Sequence, residues 1–154
     1  MINLLPFIAE SNRIEGMHEV LPREIQAHET FLALEHPDVR DLEVFVWTIN
    51  PPPRPHELRR EPGMNVRVGS HIAPSGGLEI ERALRRLLAD AVEKAHHPYK
   101  IHCRYETLHP FMDGNGRSGR VLWAWQMIHQ CGDRALGLGF LHRFYYQTLE
   151  HSRP

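Results

Sequence analysis

At 154 residues and 42% apolar, the chain is long enough for one domain with a core of ordinary size. Its 18 Lys and Arg nearly balance 19 Asp and Glu, which excludes the broad basic field of a general nucleic-acid or anionic-membrane binder. Cys103 and Cys131 are too few for a disulfide framework or a paired-cysteine metal site, and read as reduced thiols.

The first ten residues have no basic start and meet Pro6 and Glu10 early, so they are neither a signal peptide nor a membrane span. No later stretch approaches the roughly 20 apolar residues of a spanning helix, and the reading is a soluble, cytoplasmic protein. Residues 1–37 are expected to form an N-terminal helical segment and residues 38–154 the core domain. Pro22 to Leu34 reads as a helix carrying Ile25, Phe31, Leu32 and Leu34. Asp38 to Ile49 repeats Leu42, Phe45, Val46 and Ile49 at helical spacing. The proline run Asn50 to Pro55 cannot be helical and reads as a stiff extended connection.

Between Gly63 and Gly77, Val66 and Val68 alternate with polar neighbours among Gly and Pro, which predicts a short hairpin. Leu78 to His97 is a helix with Leu84, Leu87, Leu88, Ala91, Val92 and Ala95 on one face. Pro98 opens the next helix at its first position, with Ile101, Tyr105 and Leu108 following. A glycine-rich loop at His109–Gly116 interrupts. Arg117 to His129 returns to helix, and Phe140 to Leu149 reads as a last one. The fold class is mainly α, with one small hairpin.

The chemistry is concentrated in His109-Pro-Phe-Met-Asp-Gly-Asn-Gly-Arg-Ser-Gly-Arg120. Gly114 and Gly116 flank Asn115, so the backbone can turn sharply and aim several N–H groups one way. The helix that begins next adds unpaired N–H groups and a partial positive charge, making a cradle for phosphate. Arg117 and Arg120 share a face and can add charge-assisted forks. Asp113 would oppose phosphate unless a cation lay between them, and Mg²⁺ is the natural bridge. His109 suits a general base. Each part alone has an ordinary structural explanation as a turn, a cap or a solvated charge. Together, within twelve residues, they describe a phosphoryl or nucleotidyl transfer site.

This segment resembles the Fic motif, His-Pro-Phe-x-[Asp/Glu]-Gly-Asn-Gly-Arg-x-x-Arg, at every fixed position. The likeness extends over roughly residues 38 to 150, through Val66–Pro74, which resembles the family's flap, and Ile101–Leu108, which resembles the helix leading into the motif. The resemblance implies a Fic-type helical bundle with a hairpin flap, and transfer of AMP from ATP to a Ser, Thr or Tyr hydroxyl of a target protein. On it, His109 takes the acceptor proton and Asp113 holds Mg²⁺. Gly114, Asn115 and Gly116 bind phosphate oxygens, with Arg117 on the β-phosphate and Arg120 on the γ-phosphate. The flap residues Val66, Arg67, Val68, Gly69, Ser70, His71 and Ile72 pair with an extended target segment. Self-modification is a further expectation; nucleic acid and membrane are not expected partners.

Near the N-terminus, Ser11-Asn-Arg-Ile-Glu-Gly16 resembles the inhibitory motif [Ser/Thr]-x-x-x-Glu-[Gly/Asn] of Fic proteins that carry their own inhibitory helix. Ser11 is read as the cap of a short helix with Glu15 one turn on. A capping box would need its Glu where Ile14 stands, so capping does not explain Glu15. Glu15 is expected to pair with Arg120 in the place of the γ-phosphate. Other readings stay open. The same Glu could favour AMP removal, the donor could carry UMP or phosphocholine, or the chain could be a repressed regulatory module. A metal hydrolase built on His96, His97, His102 and His109 lacks a compact ligand spacing.

Overall fold

The computed structural model describes residues 2–132, so the helix expected at 140–149 lies outside the described residues. In chain order come α1 (Leu5–Ile14), α2 (Pro22–Leu32), α3 (Val39–Ile49), a hairpin of β1 (Arg67–Val68) and β2 (His71–Ile72), α4 (Leu78–Val92), α5 (Pro98–Leu108) and α6 (Asn115–Cys131). The fold is mainly α with one small antiparallel hairpin, paired Arg67 with Ile72 and Val68 with His71. No described helix is long and apolar enough to cross a membrane.

Local chemistry explains most of the helix starts. Pro6, Pro22 and Pro98 sit in first turns, where a missing N–H costs nothing. Asp38 accepts from the Asp41 N–H at 3.0 Å while Asp41 accepts from the Asp38 N–H at 2.8 Å, closing the start of α3 from both sides. In α2 the Glu24 carboxylate reaches back to the Leu21 N–H at 2.7 Å.

Several boundaries differ from the sequence reading; α2, for one, stops at Leu32 and not Leu34. The first helix runs from Leu5 to Ile14, so Ser11 lies in its last turn and does not cap it, and Glu15 is the residue just past its end. Pro6 and the apolar pair Phe7 and Ile8 start that helix earlier than Ser11 could. α4 ends at Val92, five residues short of His97. Lys94 takes a left-handed φ of 56° there, and the Ala95 and Lys94 N–H groups return to Asp90 at 2.9 Å and Ala91 at 3.3 Å. That is a helix stop usually built on glycine, here built on lysine. α6 begins at Asn115, two residues ahead of Arg117, because Gly114 in the left-handed region (φ 83°) sets up its first turn.

The larger core joins α2 to α6 through residues such as Phe31, Leu42, Phe45, Leu84, Ile101, Leu122 and Trp125, all buried. A second cluster seats α1, as Leu4, Phe7 and Ile8 pack on Trp123 and Ala124 of α6. The Phe7 and Trp123 rings stack at 6.4 Å between centroids. α1 therefore lies along the helix whose N-terminus carries the motif arginines.

Candidate functional site

The motif loop is held from both sides before any ligand enters. On one side the Arg59 N–H donates to the Pro110 carbonyl at 2.8 Å, Leu58 bridges Phe111, and the Met112 N–H donates to the Glu57 carbonyl at 2.9 Å. On the other, the buried Asn115 amide grips the Phe111 backbone twice, accepting from its N–H and donating to its carbonyl, each at 2.8 Å. The Asn115 side chain is thereby spent on the loop, and what it can offer an anion is its main-chain N–H. Phe111 is fully buried and anchors the turn.

Behind the loop, Ser118 Oγ donates to the Gly114 carbonyl at 2.8 Å, so the Tyr105 hydroxyl, 2.7 Å away, must donate to Ser118. Burial pushes the Tyr105 phenol well above its ordinary range, which keeps this donor in place. The first N–H groups of α6, on Asn115, Gly116 and Arg117, have no backbone acceptor among the described residues. They form the anion cradle expected of a helix N-terminus.

His109 follows the last residue of α5 in a left-handed conformation (φ 50°, ψ 63°). Its Nδ1 lies 3.1 Å from the Glu106 carbonyl. A carbonyl only accepts, so the proton sits on Nδ1 and Nε2 carries the lone pair that a base needs. The buried Glu106 carboxylate stands 3.9 Å from the same Nδ1. It is placed to stabilise an imidazolium at this position.

The two arginines differ in their surroundings. Arg120, fully buried, donates from Nε to Ser11 Oγ at 2.8 Å and from NH2 to the Ser11 carbonyl at 2.9 Å and to Glu15 Oε1 at 2.6 Å. The Glu15 carboxylate also lies over Gly116, where an added methyl group would collide with it. A carboxylate therefore occupies the mouth of the cradle. Arg117 is buried too, but its contacts are long: Ile49 carbonyl at 3.3 Å, Asn50 Oδ1 at 3.5 Å and Glu24 Oε1 at 3.7 Å. Its Nε has no partner among the described residues. Burial lowers its pKa from the ordinary value, against attraction from Glu15, Glu24 and Asp113.

Glu24 was not singled out in the sequence, nor was Asn12. Asn12 Nδ2 donates to the Glu19 carbonyl at 2.8 Å and lies 3.2 Å from both Glu24 oxygens, deep between α1 and α2. The carboxylate that neighbours Arg117 is thus tied to the helix that carries Glu15.

The cleft these groups line has a volume of about 580 Å³, within the range of small-molecule sites. His109, Asp113 to Arg117, Arg120 and Glu15 form one wall, and Val66, Arg67 and Val68 of the hairpin form part of the other. Arg54, Met17 and Met112 also line it and had no signal in the sequence. Of the other hairpin residues, Gly69 and Ser70 form the exposed turn and Ile72 is exposed, all outside the lining. His71 Nε2 meets the Thr107 carbonyl at 2.9 Å, tying the hairpin to α5. Ser11 is not part of the cleft lining and holds Arg120 from behind it, its Oγ accepting from Nε at 2.8 Å.

Asp113 is exposed and uses Oδ1 on the Gly114 N–H at 2.7 Å. No group of three or more His, Cys, Asp or Glu among the described residues makes a ready metal cage. One carboxylate beside an anion cradle fits Mg²⁺, which is commonly held by one or two carboxylates together with substrate phosphates.

Arg59 stands among the largest fully buried side chains, and the sequence reading passed over it. It lies just behind the His109 turn, and two of its partners, Leu108 and His109, stand some 50 positions away in sequence. No local pattern announces it.

Comparison with known proteins gives a consistent placement. A model of the Fic/DOC family matches residues 50–127. Among solved structures, the chain resembles a Fic family protein from Desulfovibrio desulfuricans G20, at 21% identity and a TM-score of 0.59. The match covers 99% of this chain and 52% of that one, so the chain spans about half its length. A search of curated proteins returns no match.

Proposed function

The chain belongs to the Fic/DOC family, and from that premise we propose that it transfers AMP from ATP to a hydroxyl side chain of a protein, under restraint by Glu15. The observation that carries the reading is the juxtaposition of His109, its lone pair on Nε2, with the N–H cradle and paired arginines at the start of α6.

In the reaction, the acceptor hydroxyl oxygen attacks the α-phosphorus while His109 Nε2 takes its proton. The new P–O bond forms as the bond to the α–β bridging oxygen breaks, and pyrophosphate leaves. The N–H groups of Asn115 and Gly116 face the developing phosphate charge, Arg117 holds the β-phosphate, and Arg120 holds the γ-phosphate. Asp113 would hold Mg²⁺, which supplies charge neutralisation between the phosphates. The Glu106 carboxylate steadies the protonated His109.

The acceptor enters as an extended segment along the hairpin, by strand addition. Glu15 stands where a terminal phosphate would lie, since it already takes the Arg120 guanidinium and the space over Gly116. ATP that binds beside it is turned away from in-line attack.

The deciding experiment labels a cell lysate, and the protein itself, from α-³²P-ATP with Mg²⁺. It compares the unaltered chain, Glu15→Gly and Glu15→Gly/His109→Ala. Strong labelling by Glu15→Gly, weak labelling by the unaltered chain and none by the double variant is the expected pattern. Equal labelling by the first two removes the restraint and keeps the transferase. Failure of all three to bind nucleotide refutes the reading.

A further inference from the structure

Arg59 and Arg60 are neighbours with opposite environments. Arg60 lies at the surface, paired with Glu43 at 2.9 Å and Glu81 at 3.2 Å. Arg59 is fully buried, and among the described residues no carboxylate lies within ion-pair distance of it. Its guanidinium is spent on four main-chain carbonyls instead. Nε donates to His109 at 2.7 Å and NH2 to Leu108 at 2.8 Å. NH1 donates to Met64 at 3.0 Å and to Pro74 at 2.7 Å.

These four acceptors fall in two sets. Leu108 and His109 are the end of α5 and the turn that carries the base, where orphan carbonyls and the negative pole of the helix offset a buried cation. Met64 and Pro74 flank the hairpin on its two sides, just before Val66 and just after Ala73. One rigid fork therefore spans the hairpin's base and the catalytic turn. Arg59 itself does not line the cleft.

We propose that Arg59 is a positioning residue that fixes the hairpin against the His109 turn, so that a protein segment laid on β1 presents its hydroxyl at Nε2. This rests on reading the cleft as a protein-modifying site. A lysine cannot replace the arginine, because its ammonium is a single point that reaches one carbonyl set and not both. The main effect of losing the fork falls on the acceptor, since the nucleotide cradle belongs to α6.

The test places Arg59→Lys in the Glu15→Gly background and takes three readings. ATP affinity by calorimetry should stay within about threefold. Labelling of the lysate protein most strongly modified by Glu15→Gly should fall about 100-fold, mostly through acceptor KM, as expected for a misplacement near 1 Å. Hydrogen exchange at residues 66–73 should quicken about tenfold, with α3 and α4 unchanged. Unchanged hairpin exchange overturns the proposal, whatever the labelling does. If Glu15→Gly labels nothing even with Arg59 intact, the transferase reading fails, and the exchange data still decide the clamp. If Arg59→Lys does not fold, the unaltered chain decides it by exchange in rising urea. The hairpin amides and those of His109, Phe111 and Met112 should then open with one common free energy, and two separate free energies overturn the proposal.

Discussion

Arg117 and Arg120 lie one turn apart on α6, both buried and both on the cleft, yet the fold treats them differently. Arg120 is engaged on several sides by α1, through the Ser11 hydroxyl, the Ser11 carbonyl and the Glu15 carboxylate. Arg117 keeps three long contacts and a bare Nε. A buried guanidinium with unmet hydrogen bonds is held at a cost that an arriving phosphate would offset. The contrast implies a site in which Arg117 is ready for an anion and Arg120 already has a carboxylate in the place of one.

The largest way to disturb this arrangement is acid. His28 lies against Phe45 and near both arginines, and burial above all, with Arg117 and Arg120 adding, lowers its pKa to about 4. His102, donating from Nδ1 to the Gly119 carbonyl, is lowered to about 3, again chiefly by burial. The unfolded chain takes up these protons near pH 6.5 and the folded chain does not. The stability they contribute is thus full above pH 6.5 and lost as pH falls toward 4. Each histidine costs about 1.4 kcal/mol per pH unit across that window. Melting temperature should fall steeply between pH 6.5 and 4.5, and His28→Gln should flatten the fall if the variant folds. A melting temperature that stays level over this window counts against both assignments.

Next comes release of Arg120. Glu15→Gly removes the substitute anion and leaves Arg117 untouched, and transfer from α-labelled ATP should rise about 100-fold. Glu15→Gln, which keeps a hydrogen-bonding group but no charge, should rise less. Equal rates in all three proteins would show that Glu15 exerts no restraint on the site.

A smaller effect is expected from the far end of the same lock. Asn12→Asp sets a carboxylate against both Glu24 oxygens, where an amide now donates at 3.2 Å. The repulsion loosens the end of α1 without altering Glu15 or Arg120, and transfer should rise about tenfold. Adding Glu24→Gln supplies a donor opposite the new carboxylate and should return the rate most of the way. If Asn12→Asp is as quiet as the unaltered chain, α1 is held by Phe7, Ile8 and Glu15 alone.

What the sequence disclosed follows from the range of its signals. The motif loop was legible because its chemistry is local: glycines, a carboxylate and two arginines at fixed offsets on one helix. The helices α3, α4 and α5 were legible from their apolar period, and the hairpin from alternation between glycines. The stop of α4 at Val92 was not, because Lys94 takes the left-handed position that glycine normally marks. The start of α1 was misplaced because Ser11 is a good cap that the fold uses instead as an acceptor for Arg120, 109 positions away. Arg59, Asn12 and Glu24 act through partners on other elements, so no window of neighbouring residues reveals them.

The smallest effect is also the most diagnostic of where the Glu15 carboxylate sits. Gly116 is in the first turn of α6, where alanine ordinarily favours the helix by up to about 1 kcal/mol. Here an added methyl would strike the Glu15 carboxylate and crowd an Arg120 nitrogen. Gly116→Ala alone should therefore lower thermal stability by about 1 kcal/mol, as the carboxylate is pushed from its seat. In the Glu15→Gly background the same change meets only the Arg120 NH1, 3.1 Å from the added methyl, and should be close to neutral. The difference between the two backgrounds, a coupling of about 1–2 kcal/mol, measures the contact directly. Strict additivity would mean that Glu15 spends its time away from the cradle, and the restraint on Arg120 would then have to come from Ser11.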